Sequence, residues 1–337
     1  MGEIWIMKRT VILACDLYDN KTPELCQEWE SEETIRHMEE TIQKLGYDVT
    51  ILSHPTEITS VLSNIPPQTR KDWIVWNLVE GYHSPSREAY IPALCEYLAI
   101  PHTGSSAAVQ TFTLDKYKTK LFLKSLGIPT ADSQLILNPM DLPKINFPIF
   151  IKPNGEGSSL GIGENNRIDR IEDWSSVAIP LSETFPSLLV EPFLSGRELT
   201  IAVLGNQGNY QTTPPAFVDY PGSVYSNLVK SKESFVESLD FQVPHALSNL
   251  LHSYSLKVAE LLGSAGYIRL DFKLEKEEVY LLEVNATPGF SSIYSTLPLL
   301  WEKTGKSYSE LLNFCLELGF EEFNHHFRYQ YAKDRNL

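Results

Sequence analysis

The chain has 337 residues, with 28 Lys and Arg against 43 Asp and Glu and a formal net charge of -15. That length predicts two or three compact units at about 100–200 residues each, and 42% hydrophobic with 21% charged residues excludes global disorder. So acidic a surface repels phosphate backbones and anionic headgroups, so neither nucleic acid nor a membrane is expected as a partner; a small anion can still find a locally basic site.

The opening alternates strand and helix. Thr10–Cys15 is a short apolar run of the buried-strand type. Ser31 then offers an N-cap before Glu32 and Glu33, and Ile35, Met38, Ile42 and Leu45 follow at helical spacing up to Gly46. Strands are predicted over 49–52 and 73–78, then a helix over 87–98 that Pro92 kinks or restarts. A second unit begins with a helix over 115–126, followed by strands over 134–137 and 148–152. A glycine- and serine-rich loop comes next, then a strand over 160–163, so the loop reads as a hairpin tip. A third unit starts near Glu191 with a strand over 197–204. Residues 207–243 form a long irregular stretch, and long structureless segments are usually functional loops or lids. A helix over 245–262 leads into a hairpin of 267–274 and 279–285, and a polar tail closes the chain. No run approaches the roughly 18 apolar residues of a membrane span. The first eight residues lack a basic stretch followed by an apolar core, and Cys15, Cys26, Cys95 and Cys315 form no C-x-x-C pair. A cytoplasmic protein with reduced thiols is expected.

The hairpin carries the strongest chemical signal. On its first strand the even residues are apolar, and the odd ones include Arg269, Asp271 and Lys273. On its partner Tyr280, Leu282 and Val284 are apolar, while Glu283 and Asn285 are odd. Period-two alternation puts each set on one face. A loop centred on Glu277 opposes Arg269 to Asn285, Asp271 to Glu283 and Phe272 to Leu282. A two-residue loop would put the two carboxylates on opposite faces, so an odd loop is predicted. Opposed carboxylates repel unless a cation lies between them, and two carboxylates plus an amide oxygen suit a hard ion such as Mg2+. A solvated polar face is the competing reading of the alternation alone. After the strand, Gly289 can present a bare N–H, and Ser291, Ser292, Ser295 and Thr296 crowd a helix start.

Lys152 precedes the loop Pro153-Asn154-Gly155-Glu156-Gly157-Ser158-Ser159-Leu160-Gly161, whose glycines would let backbone amides approach phosphate. It is neither a Walker loop nor a dinucleotide fingerprint. Glu191 and Glu198 flank a turn, and Lys116 follows Asp115 on a helix. Each alone reads as a solvated surface feature, and only the combination is informative.

In this order and spacing, these pieces resemble the ATP-grasp superfamily and, within it, the D-alanine–D-alanine ligases. The resemblance runs from about residue 77 to 318 and is densest in Asp115-Lys116, 152–161, 191–198, Arg269-Leu270-Asp271 and 283–289. It implies an α/β (α+β) chain with a three-domain ATP-grasp fold. Residues 1–104 would form a parallel α/β domain on the substrate side. Residues 105–190 and 191–320 would be two lobes clamping ATP, and 321–337 a polar tail. It implies that Lys116 and Lys152 contact the ATP phosphates while the loop around Ser158 closes over them. Glu191 and the Leu194 backbone would hold the adenine edge and Glu198 the ribose. Asp271, Glu283 and Asn285 would bind two Mg2+ ions, with Mn2+ as the alternative metal. Arg269 and the Gly289 N–H would stabilise an oxyanion, Lys230, five residues after Tyr225 as in the family loop, would join the catalytic set, and Ser295 would grip a substrate carboxylate. Pro192 stands where the family usually has lysine. No residue matches the family glutamate that meets the first substrate's ammonium group, and the 14–33 and 77–88 segments, including His83, depart from the pattern.

The implied activity is ATP-dependent joining of two amino acids through an acyl phosphate, with a D-alanine–D-alanine ligase of cell-wall precursor synthesis as the first reading. A ligase for other amino acids is the alternative. A non-ligating phosphotransferase and a nucleotide-binding regulator are further ones. A homodimer through the first domain is also implied.

Overall fold

The computed structural model describes residues 9–18, 29–81, 84–157, 159–220 and 238–327. The first unit contains β1 (Thr10–Cys15), α1 (Glu32–Lys44), β2 (Asp48–Leu52), α2 (Pro55–Asn64), β3 (Trp73–Leu78) and α3 (Tyr90–Leu98). Its three strands are parallel in the order β2-β1-β3. β1 is apolar throughout because both of its faces are buried. Val11 and Leu13 face α1, whereas Ile12 and Ala14 face α2 and α3. The expected cap of α1 is present, with Ser31 Oγ accepting the Thr34 N–H at 3.1 Å. The helix predicted over 87–98 splits into a 3-10 turn at Arg87–Ala89 and then α3. Starting α3 at Tyr90 places Pro92 in the first turn, where its missing N–H has no intrahelical acceptor to lose.

The second unit adds α4 (Ala107–Leu114), α5 (Lys116–Ser125), β4 (Gln134–Ile136), β5 (Ile149–Pro153), β6 (Arg167–Ile168), α6 (Trp174–Thr184) and β7 (Leu188–Pro192). Its strands form an antiparallel sheet in the order β4-β7-β5-β6. Asp115 is the N-cap of α5, accepting the Lys118 N–H at 3.0 Å. The strand expected over 160–163 is instead a pair of turns, closed by Leu160 N–H to Gly157 O and Ile162 N–H to Ser159 O. Gly161 there has φ 73°, and a Cβ on it would lie 2.6 Å from Phe185 and 2.8 Å from Pro153. Pairing with β5 resumes only at β6, so the hairpin has a longer tip than expected. Glu191 lies in β7 of this smaller sheet, so the boundary drawn between 190 and 191 cuts a strand.

The third unit comprises β8 (Glu198–Asn206), β9 (Asn209–Thr212), β10 (Ala216–Asp219), β11 (Ser238–Asp240), α7 (His245–Leu262), β12 (Tyr267–Glu275), β13 (Glu278–Asn285), α8 (Thr296–Glu302) and α9 (Tyr308–Phe327). Its sheet runs β11-β10-β8-β12-β13, with β9 also on β8. Three strands therefore occupy parts of the stretch read as irregular, and 221–237 lies outside the described residues. The tail expected from residue 321 is helical as far as Phe327. Asn206 anchors it by donating to Leu318 O at 3.0 Å and Glu321 Oε2 at 3.1 Å.

One apolar cluster joins the first and third units. Val11, Leu13 and Ile35 pack with Leu297, Trp301 and Leu312 from α8 and α9. At its centre the Phe290 ring meets Trp76 at 5.0 Å and Tyr267 at 4.9 Å, edge to face with each. Phe290→Ala is expected to cost about 3–5 kcal/mol in urea unfolding. A loss under about 1 kcal/mol would contradict a core shared by the two units.

Candidate active site

β12 lies between β8 and β13, and one face of this trio carries the chemistry. Lys273 opposes Glu198 and Asp271 opposes Thr200 across β8, while Arg269 opposes Asn285 and Asp271 opposes Glu283 across β13. The carboxylate register is the expected one, but its cause differs. Lys276 (φ 59°) and Glu277 form a two-residue turn between the paired Glu275 and Glu278. That parity alone would separate Asp271 from Glu283. A β-bulge corrects it: the register shifts between Asp271 and Phe272, leaving Leu282 as the extra residue, so Phe272 meets Leu281. Beyond the bulge the faces exchange. Val279 and Leu281 are buried in the core, not Tyr280 and Leu282, and Leu282 beside Glu283 lines a pocket.

The pocket lies between the two antiparallel sheets. Phe150, Ile162, Phe193 and Leu282 give it apolar walls, and Lys152, Glu191, Leu194, Glu198, Lys273 and Glu283 also line it. An apolar slot bounded by a few charged groups suits a flat heteroaromatic ring bearing a polyanion. The charges are paired throughout. Glu191 is held on one oxygen by Lys120 and on the other by Lys152, at 3.0 Å. Glu198 accepts Lys273 Nζ and Tyr220 OH, each at 2.9 Å. Lys116 Nζ lies 3.4 Å from Glu283 Oε2 and also donates to Glu156 O. Arg269 binds Asp271 side-on, Nε to Oδ1 at 3.1 Å and Nη2 to Oδ2 at 2.8 Å. Thr200 and Asn285 donate to the same carboxylate at 2.8 and 2.9 Å.

Burial alone would push the Glu191 carboxyl up, but the two ammonium groups outweigh it and hold it below the usual glutamate range. Burial likewise pulls Lys120 down to about 8, with Glu191 opposing the fall. Lys120 and Lys273 went unassigned in the sequence. Lys120 had a legible signal, because it follows Lys116 by one helical turn and so shares its buried face.

Beyond β13, Gly289 is confined. A Cβ there would lie 2.7 Å from Ser295 Oγ and 3.3 Å from Glu30 Oε1. Glu30 is buried, and Oε1 accepts the Phe290 N–H at 2.9 Å. The structure thus brings a glutamate from the first unit to Gly289, although no residue matched the family glutamate in sequence. Its signal was its place directly before the Ser31 cap. Asp16, another acidic residue of the 14–33 segment, accepts the Gly81 N–H at 2.8 Å. Ser295 Oγ accepts the Ser291 N–H at 2.9 Å as Ser295 opens α8. Ser158, Lys230 and His83 lie outside the described residues. Among the described residues no three His, Cys, Asp or Glu side chains converge on one point; the Asp271–Glu283–Asn285 set has two carboxylates and an amide.

Two antiparallel sheets closing on such a pocket form an ATP-grasp fold. The D-alanine–D-alanine ligase of Bacillus anthracis, solved with ATP, has this fold: it superposes with a TM-score of 0.75 over 94% of this chain and 99% of its own, at 18% identity. A family model described as D-ala D-ala ligase C-terminus matches residues 123–317. The D-alanine–D-alanine ligase of Clostridium novyi is 33% identical over 270 residues, covering 74% of this chain and 75% of the relative. That of Streptococcus thermophilus is 28% identical over 303 residues, 85% and 83% of the two chains. The chain belongs to the D-alanine–D-alanine ligase family.

Glu191→Gln leaves Lys120 and Lys152 buried without their carboxylate and is expected to destabilise the chain by about 3–5 kcal/mol near neutral pH. The folded-state shift of Glu191 is downward, so its contribution is present above the ordinary glutamate pKa and is lost as pH falls through the lowered one. Urea titrations of both proteins should begin to converge as pH falls below the ordinary glutamate range and meet only below the lowered Glu191 pKa. A gap independent of pH would contradict the charge pairing.

Proposed function

We propose that the chain uses ATP to join two molecules of D-alanine. The observation that carries this reading is the Arg269, Asp271, Glu283 and Asn285 face set beside a pocket that holds Lys152, Glu191 and Glu198. The carboxylate of the first amino acid attacks the γ-phosphorus of ATP, the bond to ADP breaks, and an acyl phosphate forms. The amine of the second attacks the acyl carbon, loses a proton, and phosphate leaves as the amide forms. Lys116 and Lys152 offset the charge on the transferred phosphoryl group. Glu191 and the Leu194 backbone receive the adenine edge and Glu198 the ribose.

Arg269, fixed side-on by Asp271, and the Gly289 N–H stabilise the oxyanion of the tetrahedral intermediate. Glu30, next to Gly289, is placed to receive an amino acid's ammonium group at the reacting centre. The hard oxygens of Asp271, Glu283 and Asn285 fit Mg2+, which commonly takes one or two carboxylates and completes its shell with phosphate oxygens. When bound, Mg2+ would screen the phosphate charge. Ser158, in the loop over the phosphates, and Lys230, as a catalytic residue, enter the proposal on the resemblance alone. Ser295, already accepting from Ser291, enters it as the grip on the second carboxylate. No helix among the described residues is long and apolar enough to cross a membrane. A cytoplasmic location and a homodimer belong to the same proposal, and sedimentation checks the latter.

Phosphate release from ATP, measured with single and paired D- and L-amino acids and with products weighed by mass spectrometry, tests the reading. D-Alanine alone should stimulate release and yield the D-alanine dipeptide; stimulation by another pair instead would transfer the proposal to a sibling ligase. Asp271→Ala and Glu283→Ala should each lower Mg2+-dependent ADP release by roughly 100-fold or more, and unaltered turnover in either would remove the metal assignment.

A further inference from the structure

Lys120 lies one turn beyond Lys116 on α5 and is 2% exposed. It does not line the nucleotide pocket, whereas Glu191 and Lys152 do. One carboxylate thus has two ammonium partners, and all three groups are buried. The partner on the pocket side, Lys152, is the one the nucleotide can reach. A buried carboxylate that loses its last cation carries a heavy desolvation penalty.

We propose that Lys120 is a positioning residue for ATP: by staying on Glu191, it allows Lys152 to leave that carboxylate for the nucleotide's phosphates. The proposal rests on the reading of Lys152 as a phosphate contact. Were Lys152 the sole partner, its transfer would strand Glu191 as a buried, unpaired charge, and ATP affinity would fall by that cost. With Lys120 behind it, Glu191 stays neutralised and Lys152 exchanges one anion for another. The arrangement also separates two tasks on α5. Lys116 lies by Glu283, on the metal side, while Lys120 supports the purine-side carboxylate from outside the pocket.

Titration calorimetry of the full chain with ATP and with adenosine tests this, because adenosine has no phosphate for Lys152 to meet. Lys120→Met should weaken ATP by roughly tenfold or more and leave adenosine within about threefold of the unaltered chain. Lys120→Arg should preserve ATP binding. In the double variant Lys120→Met, Glu191→Gln, the neutral amide no longer retains Lys152, so the preference for ATP over adenosine should return to within about threefold of its original value. Equal weakening of ATP and adenosine in Lys120→Met would mark a structural role and overturn the proposal, as would failure of the double variant to restore the preference. Lys120→Arg and the double variant keep the comparison decisive where Lys120→Met folds poorly. Unaltered ATP affinity in Lys152→Met would remove the phosphate reading and the proposal with it. Weakening in Lys152→Met with none in Lys120→Met would overturn the proposal alone.

Discussion

Charge pairing within a buried site is the constraint on which the rest of this structure depends. Five cations, Lys116, Lys120, Lys152, Arg269 and Lys273, stand against four carboxylates, Glu191, Glu198, Asp271 and Glu283, and each is in contact with an opposite charge. A chain of net charge -15 needs a locally basic site for a polyanion, and the sequence suggested an island of positive charge there. The fold builds something different. Its lysines and arginine are already spoken for by carboxylates, so under the proposed function a nucleotide would enter by exchanging partners rather than by finding free cations. Exchange at low dielectric costs less than stripping two ions of water anew, because the side chains are dehydrated and oriented before the ligand arrives.

The hairpin shows how far a sequence pattern reaches. Period-two alternation correctly set Asp271 opposite Glu283 and Arg269 opposite Asn285. It failed above Glu283, where alternation assigned Leu282 to the core and the structure assigns Leu281. The pattern holds between irregularities, and a bulge leaves little trace when both residues at the shift are leucine. The strand expected over 160–163 failed for a related reason. Leu160 and Ile162 alternate as in a strand, yet Gly161 at positive φ and its close approach to Phe185 turn the chain there.

Legibility also tracked sequence distance. Local signals such as the Ser31 cap and the β1 run were readable because their causes lie within a few residues. The contact of Glu30 with Phe290 spans 260 positions, and that of Lys120 with Glu191 spans 71. Their local signals, Glu30 directly before the Ser31 cap and Lys120 one helical turn after Lys116, do not say which distant residue each meets. Only the closure of α8 and α9 over the first unit, and of α5 behind β7, gives them their roles.

The two-residue turn at the end of the hairpin has a practical consequence. Lys276 and Glu277 are exposed, and the register that sets Glu283 opposite Asp271 depends on this two-residue turn together with the bulge at Leu282. Glu275, just before it, accepts the Ser195 and Gly196 N–H groups at 2.6 and 3.1 Å, which ties the tip to the loop following β7. A change in the turn's length would therefore be felt at two places, the register of Asp271 against Glu283 and the Ser195–Gly196 loop.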